Sequence, residues 1–158
     1  MEKIIPQLLG FIYYILESYC LCLIALTFIG FTPKQKKLLL IAAIFGVSTF
    51  VLRELLMPIY NISIGLHSII LFILNLLLLS VIFKLPFVVS VVCDFLYFLT
   101  IVLVETLTLI IYKFLGYTPA LVVSSIIFMN IFRSSILILI GLLILLLKKT
   151  KFTLIPLT

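Results

Sequence analysis

Three ionisable side chains that could form a polar binding site lie near helix ends in an otherwise apolar sequence. Arg53 and His67, the only histidine, flank a stretch that contains Pro58 and Gly65, and Glu105 follows further along the chain. A guanidinium and a carboxylate can form charge-assisted hydrogen bonds, and an imidazole can exchange a proton near neutral pH. We therefore predict a ligand-binding or switch site at Arg53, His67 and Glu105, with Pro58 and Gly65 as a hinge or turn beside it.

The composition defines the environment of these side chains. The chain has 158 residues, of which 66% are hydrophobic and 10% charged, and its mean hydropathy is +1.53. A soluble domain carries about 25% charged residues, so this chain has too few polar residues to coat its apolar surface. Apolar stretches of about 20 residues favour helices, and the alternating polarity of barrel strands is absent. We predict an all-α, polytopic membrane helical bundle that forms a single domain over residues 1–158.

Turn residues and charges divide the sequence into five transmembrane helices. The expected spans are approximately 4–31, 38–57, 62–83, 87–111 and 120–147. Pro58 should end the second span because it has no amide hydrogen. Pro86 suits the first position of the fourth.

The basic residues predict an orientation, because lysine and arginine in short loops stay on the cytoplasmic side. Seven lysines fall on one side of the five-span arrangement, namely Lys34, Lys36, Lys37, Lys84, Lys148, Lys149 and Lys151. Lys3, Arg53 and Lys113 fall on the other. We expect the N-terminus outside and the C-terminus in the cytoplasm of a multi-pass protein in a bacterial cell membrane.

This topology predicts the depths of the polar groups. Arg53, His67 and Glu105 lie about four, five and six residues from the outer ends of their spans. At about 1.5 Å per residue they share one layer, roughly 6–10 Å below the outer boundary. We expect an Arg–Glu pair with the imidazole nearby, whereas Glu54 lies at a helix end and could face the lipid headgroups.

A second group of polar residues lies deeper and could form a polar seam that holds the helices in register. Glu17 and Arg133 lie near the middle of the first and last spans and could pair. Asp94 lies about three helical turns below the outer layer, and Asn75 and Asn130 could complete the seam. A functional and a purely structural role both remain open for this seam.

Several kinds of site are disfavoured. His67 has no second histidine beside it, and we expect Cys20, Cys22 and Cys93 in the opposite half of the membrane, so we predict no metal site, no cofactor and no Cys–His catalysis. The formal net charge of +6 comes from lysines at helix ends, so we do not expect nucleic-acid binding. We predict that the protein is not an enzyme.

The run Arg53…Pro58…Gly65-x-His67, followed by a helix that carries Glu105, resembles the multi-span membrane input domain of some GHKL-type sensor histidine kinases of Gram-positive, spore-forming bacteria. The resemblance covers about residues 1–150. It implies a module that senses a small hydrophobic or peptide-like ligand and passes a helix rearrangement to a cytoplasmic kinase or through a homodimer. The sequence up to Thr158 lacks a kinase core, so we expect a stand-alone relative or an excised sensor region.

Two other functions remain open. A small-molecule carrier, such as the substrate-binding subunit of a vitamin transporter, would also hold a polar site within the bundle, although such subunits usually have six spans. A pore-forming or lysis protein would need an amphipathic polar stripe, of which the segment from Asp94 to Glu105 is a fragment.

Overall fold

The computed structural model of the chain describes residues 4–60, 64–118, 126–150 and 152–153, and these residues contain helices and no strand. The predicted all-helical fold class is confirmed. The helices are α1 (Ile4–Phe28), α2 (Gln35–Phe50), α3 (Met57–Tyr60), α4 (Ile64–Ile82), α5 (Phe87–Phe114) and α6 (Ile126–Thr150), with a π-helical segment, Val51–Leu56, between α2 and α3.

Four helical stretches in the described part of the chain are long and apolar enough to cross a membrane: Leu8–Phe28, Gln35–Leu56, Phe87–Phe114 and Phe128–Thr150. Helix α4 has 19 residues and spans about 28 Å, close to the hydrocarbon thickness of a bilayer. The chain is therefore a multi-pass membrane protein by helix length and composition. The expected turn at 61–63 and the expected start of the fifth span at 120–125 lie outside the described residues.

The membrane-length stretch of the second span, Gln35–Leu56, ends within one residue of the expected end at residue 57, and the short helix α3 carries helical backbone on to Tyr60. The backbone N–H of Met57 donates to the carbonyl of Leu52, five residues back, so this turn is wider than an α-helical turn. Helical backbone continues through Pro58 beyond this wide turn. Gly65, expected in a turn, is the second residue of α4.

Two glycines end long helices in the same way. Gly30 follows α1 with φ +71°, and the N–H of Phe31 donates to the carbonyl of Leu26. Gly116 follows α5 with φ +84°, and the N–H of Tyr117 donates to the carbonyl of Tyr112. Glycine adopts this left-handed conformation without strain, so both helix ends satisfy carbonyl groups that would otherwise lack donors.

Helices α1 and α5 each contact three other helices and form the middle of the bundle. Helix α1 packs on α2, α5 and α6, and α5 packs on α1, α4 and α6, whereas α4 also contacts α2. The α1–α2 contact is tight at Gly46, where a Cβ atom would lie 2.7 Å from the Cα atom of Ile15. This close approach places the N-terminal half of α1 beside the π-helical segment.

The distribution of side chains is the reverse of that in a soluble protein. Asn75, Asp94 and Glu17 are buried, whereas Val81, Leu145 and other large apolar side chains are exposed on the outside of the bundle. Lipid tails solvate apolar side chains, and polar groups within a membrane turn to the bundle interior. The burial pattern therefore supports the assignment that rests on helix length.

Six of the lysines lie at one end of the bundle. Lys37 Nζ donates to the carbonyl of Ile82 over 2.7 Å, which joins the start of α2 to the end of α4. The Phe31 and Phe83 rings pack with centroids 5.5 Å apart, and Phe28 meets Phe152 beyond α6. The α1–α2 loop, the α4–α5 loop and the end of α6 therefore share one end, with Lys34, Lys36, Lys37, Lys84, Lys148 and Lys149. We call this the lysine-rich end; Lys3 and Lys151 are not among the described residues.

Candidate functional site: a polar cavity between the helices

A cavity of about 270 Å³ lies between α1, α2, α4 and α5, away from the lysine-rich end. This volume is close to the lower end of the range for small-molecule pockets, roughly 300–1,000 Å³. Its wall is formed by Glu17, Ser18, Phe45, Thr49, Arg53, Ser68, Leu71, Tyr97, Phe98, Ile101, Val102 and Glu105. The sequence-predicted Arg53 and Glu105 thus lie in one cavity, in the part of the protein that the spans predicted.

Arg53 connects the cavity to His67. The Nε atom of Arg53 donates to Nε2 of His67 over 3.3 Å. An arginine has no acceptor, so Nε2 must be the unprotonated nitrogen and the imidazole is neutral. His67 is buried and takes part in a further interaction. The structure therefore brings the three predicted residues together, with the imidazole rather than Glu105 as the hydrogen-bond partner of Arg53.

Two carboxylates lie in the cavity wall. Glu17 is 4% exposed and accepts a hydrogen bond of 2.7 Å from the hydroxyl of Tyr13. Glu105 makes no hydrogen bond or salt bridge within the described residues, and it shares the cavity wall with Arg53. With one guanidinium, two carboxylates and a neutral imidazole, the cavity carries a net charge of about −1 when both carboxylates are ionised.

The expected pairing of Glu17 with Arg133 is wrong. Arg133 Nη2 lies 2.9 Å from Oε1 of Glu54 and 3.1 Å from the hydroxyl of Tyr14. The reason is that helical backbone continues past Pro58, so Glu54 lies more than a turn inside the helix and faces α1 and α6. The Glu54 side chain is also 39% exposed, so the expectation that it faces the lipid headgroups stays a prediction.

Two tyrosines of α1 complete this second polar group. The guanidinium carbon of Arg133 lies 5.4 Å and 5.2 Å from the ring centroids of Tyr13 and Tyr14. Tyr14 also donates to Oε1 of Glu54 over 2.9 Å. Cation–π contacts and charge-assisted hydrogen bonds both hold the guanidinium. Because Tyr13 also bonds Glu17, this group is joined to the cavity.

Asn75 and Asp94 join α4 to α5 closer to the lysine-rich end. Asn75 Nδ2 donates to Asp94 Oδ1 over 2.7 Å, and both side chains are at most 1% exposed. Asn130, expected in the same seam, is not part of it. Its side chain makes no hydrogen bond within the described residues, and its carbonyl accepts from Ser134 on the same helix. Polar contact from α6 instead comes through Arg133, whose longer side chain reaches Tyr14 of α1 and Glu54 of the π-helical segment.

A larger groove of about 450 Å³ lies between α5 and α6, at the end away from the lysines. Its wall is mostly apolar, and its polar groups are hydroxyls, including those of Tyr112 and Ser135, whose oxygen atoms lie 3.0 Å apart. Its described lining residues include no carboxylate, guanidinium or imidazole. The smaller cavity has the groups that can recognise a charged ligand, so it is the stronger candidate.

Tyr13, Tyr14 and Glu54 are not among the site residues that the sequence predicts. A signal for the first was present, since Tyr13 and Glu17 are four residues apart and residues at this spacing lie on one helix face. The partner of Glu54 lies on a distant helix, and no local pattern indicates it.

In the described ranges, no group of three or more histidine, cysteine, aspartate or glutamate side chains is arranged to hold a metal ion. Comparisons with known protein families, with curated proteins and with solved structures found no match to this chain. Fold and site therefore define a class only: a helical, multi-pass membrane protein with a charged internal cavity.

Proposed function

We propose that the protein is a membrane-embedded sensing module that binds a small ligand in the polar cavity. The observation that carries this proposal is the cavity lined by Arg53, Glu17 and Glu105. Ionisable side chains in a membrane are costly, and a wet or ligand-binding cavity is where they are found. When Glu17 and Glu105 are both ionised, Arg53 can balance only one of them and the neutral His67 balances neither, so one carboxylate among the cavity-lining residues has no counter-charge.

The net charge of the polar cavity and its aromatic wall favour one kind of ligand, a small organic cation with a short apolar body. One positive charge would balance the net charge of about −1, and the rings of Phe45, Tyr97 and Phe98 offer an apolar wall that also favours cations. Val102 lines the cavity and is 55% exposed, so this part of the cavity wall lies at the outer surface of the bundle. A lipophilic amine could enter there from the bilayer.

The π-helical segment provides a route from the cavity to the last helix. Arg53 faces the cavity and His67, and the next residue, Glu54, holds Arg133 of α6. π-helical turns often occur at functional sites. A ligand that moves Arg53 would change this segment and shift α6, which ends at Lys148 and Lys149 on the lysine-rich end. We propose that this end is cytoplasmic, where a kinase or a second copy of the chain would receive the signal.

Hydrogen exchange of the full chain in lipid nanodiscs tests this proposal, with 2-phenylethylamine as the probe. We expect the amine to slow exchange around residues 51–56 and 101–108 and to alter it in α6. In Arg133→Leu the effect at the cavity should remain and the effect in α6 should disappear.

The outcomes separate the alternatives. An effect at the cavity without any effect in α6 of the wild-type protein would argue for a carrier rather than a sensor. No effect of the amine anywhere would contradict both binding and sensing.

A further inference from the structure

The buried pair of Asn75 and Asp94 has more acceptors than donors. Asn75 Nδ2 donates to Asp94 Oδ1 over 2.7 Å, which uses one oxygen of the carboxyl group. Asp94 Oδ2 and Asn75 Oδ1 have no hydrogen-bond partner within the described part of the chain. Both atoms are buried, and a buried acceptor without a donor is rare and costly.

The surroundings of Asp94 supply no compensating charge. The titratable groups that face it are the thiols of Cys22 on α1 and Cys93 on its own helix, and the facing group on α4 is the Asn75 amide. No salt bridge in the described ranges includes Asp94. An ionised carboxylate at this position would be a buried charge without a counter-ion, which is far more costly than the neutral acid.

We propose that Asp94 and Asn75 form a proton-binding site within the bundle. A proton on Asp94 Oδ2 that is donated to Asn75 Oδ1 satisfies both atoms at once and removes the charge. The two side chains then form a reciprocal pair, in which each group donates once and accepts once. The terminal torsions of both side chains are broad, so they can align in this way.

A metal cation fits the site less well than a proton. Hard cations such as Ca²⁺ and Mg²⁺ take about six or more oxygen ligands. The pair offers two free oxygens, and the nearest titratable side chains carry sulfur. Loss of the proton would leave a charge between α4 and α5, which also form two walls of the polar cavity.

The sequence allows a direct test because Asp94 is its only aspartate. Full-length protein made by cell-free synthesis with ¹³C-labelled aspartate, in lipid nanodiscs, gives one γ-carboxyl resonance in solid-state NMR. We expect the chemical shift of a protonated carboxylic acid at neutral pH. The shift should stay the same when choline chloride is replaced by sodium chloride, and in the control variant Glu54→Gln, which changes a carboxylate elsewhere.

Two outcomes would overturn the proposal. The chemical shift of an ionised carboxylate at neutral pH would show that Asp94 holds no proton. A resonance that moves when sodium replaces choline would show that the site takes a cation instead. Neither outcome depends on the ligand-binding role of the cavity, because the probe amine is absent from the experiment.

Discussion

Arg133 of α6 lies 2.9 Å from Glu54 of the π-helical segment, and this is the one salt bridge within the described ranges. The Arg133 side chain is 15% exposed and the Glu54 side chain 39%. The two residues are far apart in sequence, so the pair fixes the last helix against the second. Because the residue before Glu54 faces the cavity, the pair also connects α6 to the candidate site.

We predict that removal of this ion pair destabilises the bundle modestly. Glu54→Ala should lower the free energy of unfolding by about 1 kcal/mol, because a half-exposed carboxylate is partly screened. The charge exchange that combines Glu54→Arg with Arg133→Glu should recover part of the loss. Reversible unfolding of the detergent-solubilised protein measures both. No loss in Glu54→Ala would show that the pair does not hold α6.

Because α1 and α2 are in close contact at Gly46, we predict that alanine substitutions at two glycines change the free energy of unfolding differently. Gly46→Ala should lower the free energy of unfolding by roughly 1–3 kcal/mol, since the added methyl group would lie 2.7 Å from Ile15 backbone. Gly141→Ala is the matched control, because a Cβ atom there meets no atom within 4 Å. The control should be neutral or slightly stabilising, as alanine favours helices. Thermal unfolding of the two variants in one detergent compares them, and equal destabilisation would contradict the packing.

The hydrogen bond from Arg53 predicts the protonation state of His67. Histidine labelled with ¹⁵N gives signals from one residue, since the sequence has one histidine. We expect the neutral imidazole with Nε2 unprotonated at neutral pH. At acid pH, a proton on Nε2 would place two donors face to face, so the contact should break and ligand affinity should fall. A protonated Nε2 at neutral pH would contradict the Arg53 contact.

A substitution at Asp94 separates the loss of charge from the loss of hydrogen bonds. Asp94→Asn should unfold within a few tenths of a kcal/mol of the wild-type protein, because the amide can donate to Asn75 and carries no charge. Asp94→Leu should cost roughly 1–3 kcal/mol, because the Asn75 amide then stays buried without a partner. The same unfolding assay ranks the two. A loss in Asp94→Asn as large as that in Asp94→Leu would show that the carboxyl group itself is required.

The sequence predicts the depth of polar groups better than their partners. Span boundaries and the rise per residue place Arg53, His67 and Glu105 in one layer, and the structure brings them together. Partners depend on helix rotation, which the wide turn at 51–56 changes. The pairing of Arg133 could not be predicted because Pro58 indicated a helix end, and Glu54 then seemed to lie at the surface.

In the polar seam, too, the partner of a residue is harder to predict than its depth. Asn75 and Asp94 lie on helices that are joined by a short loop, so an approximate match in depth is enough to predict their contact. Asn130 lies on α6, whose position relative to α4 and α5 no local pattern determines. The orientation of the bundle in the membrane stays a prediction from the lysines.

The most direct test of the account is calorimetric titration of the nanodisc-embedded protein with three probes of similar size: 2-phenylethylamine, 2-phenylethanol and 3-phenylpropionate. We predict that the amine binds more tightly than the alcohol and that the acid binds weakest. Glu105→Gln should weaken amine binding about ten- to a hundredfold, as expected for loss of one charge-assisted contact, while Asp94→Asn should leave it unchanged. Equal binding of all three probes, or amine binding that Glu105→Gln does not affect, would contradict the proposal that this cavity recognises a small organic cation.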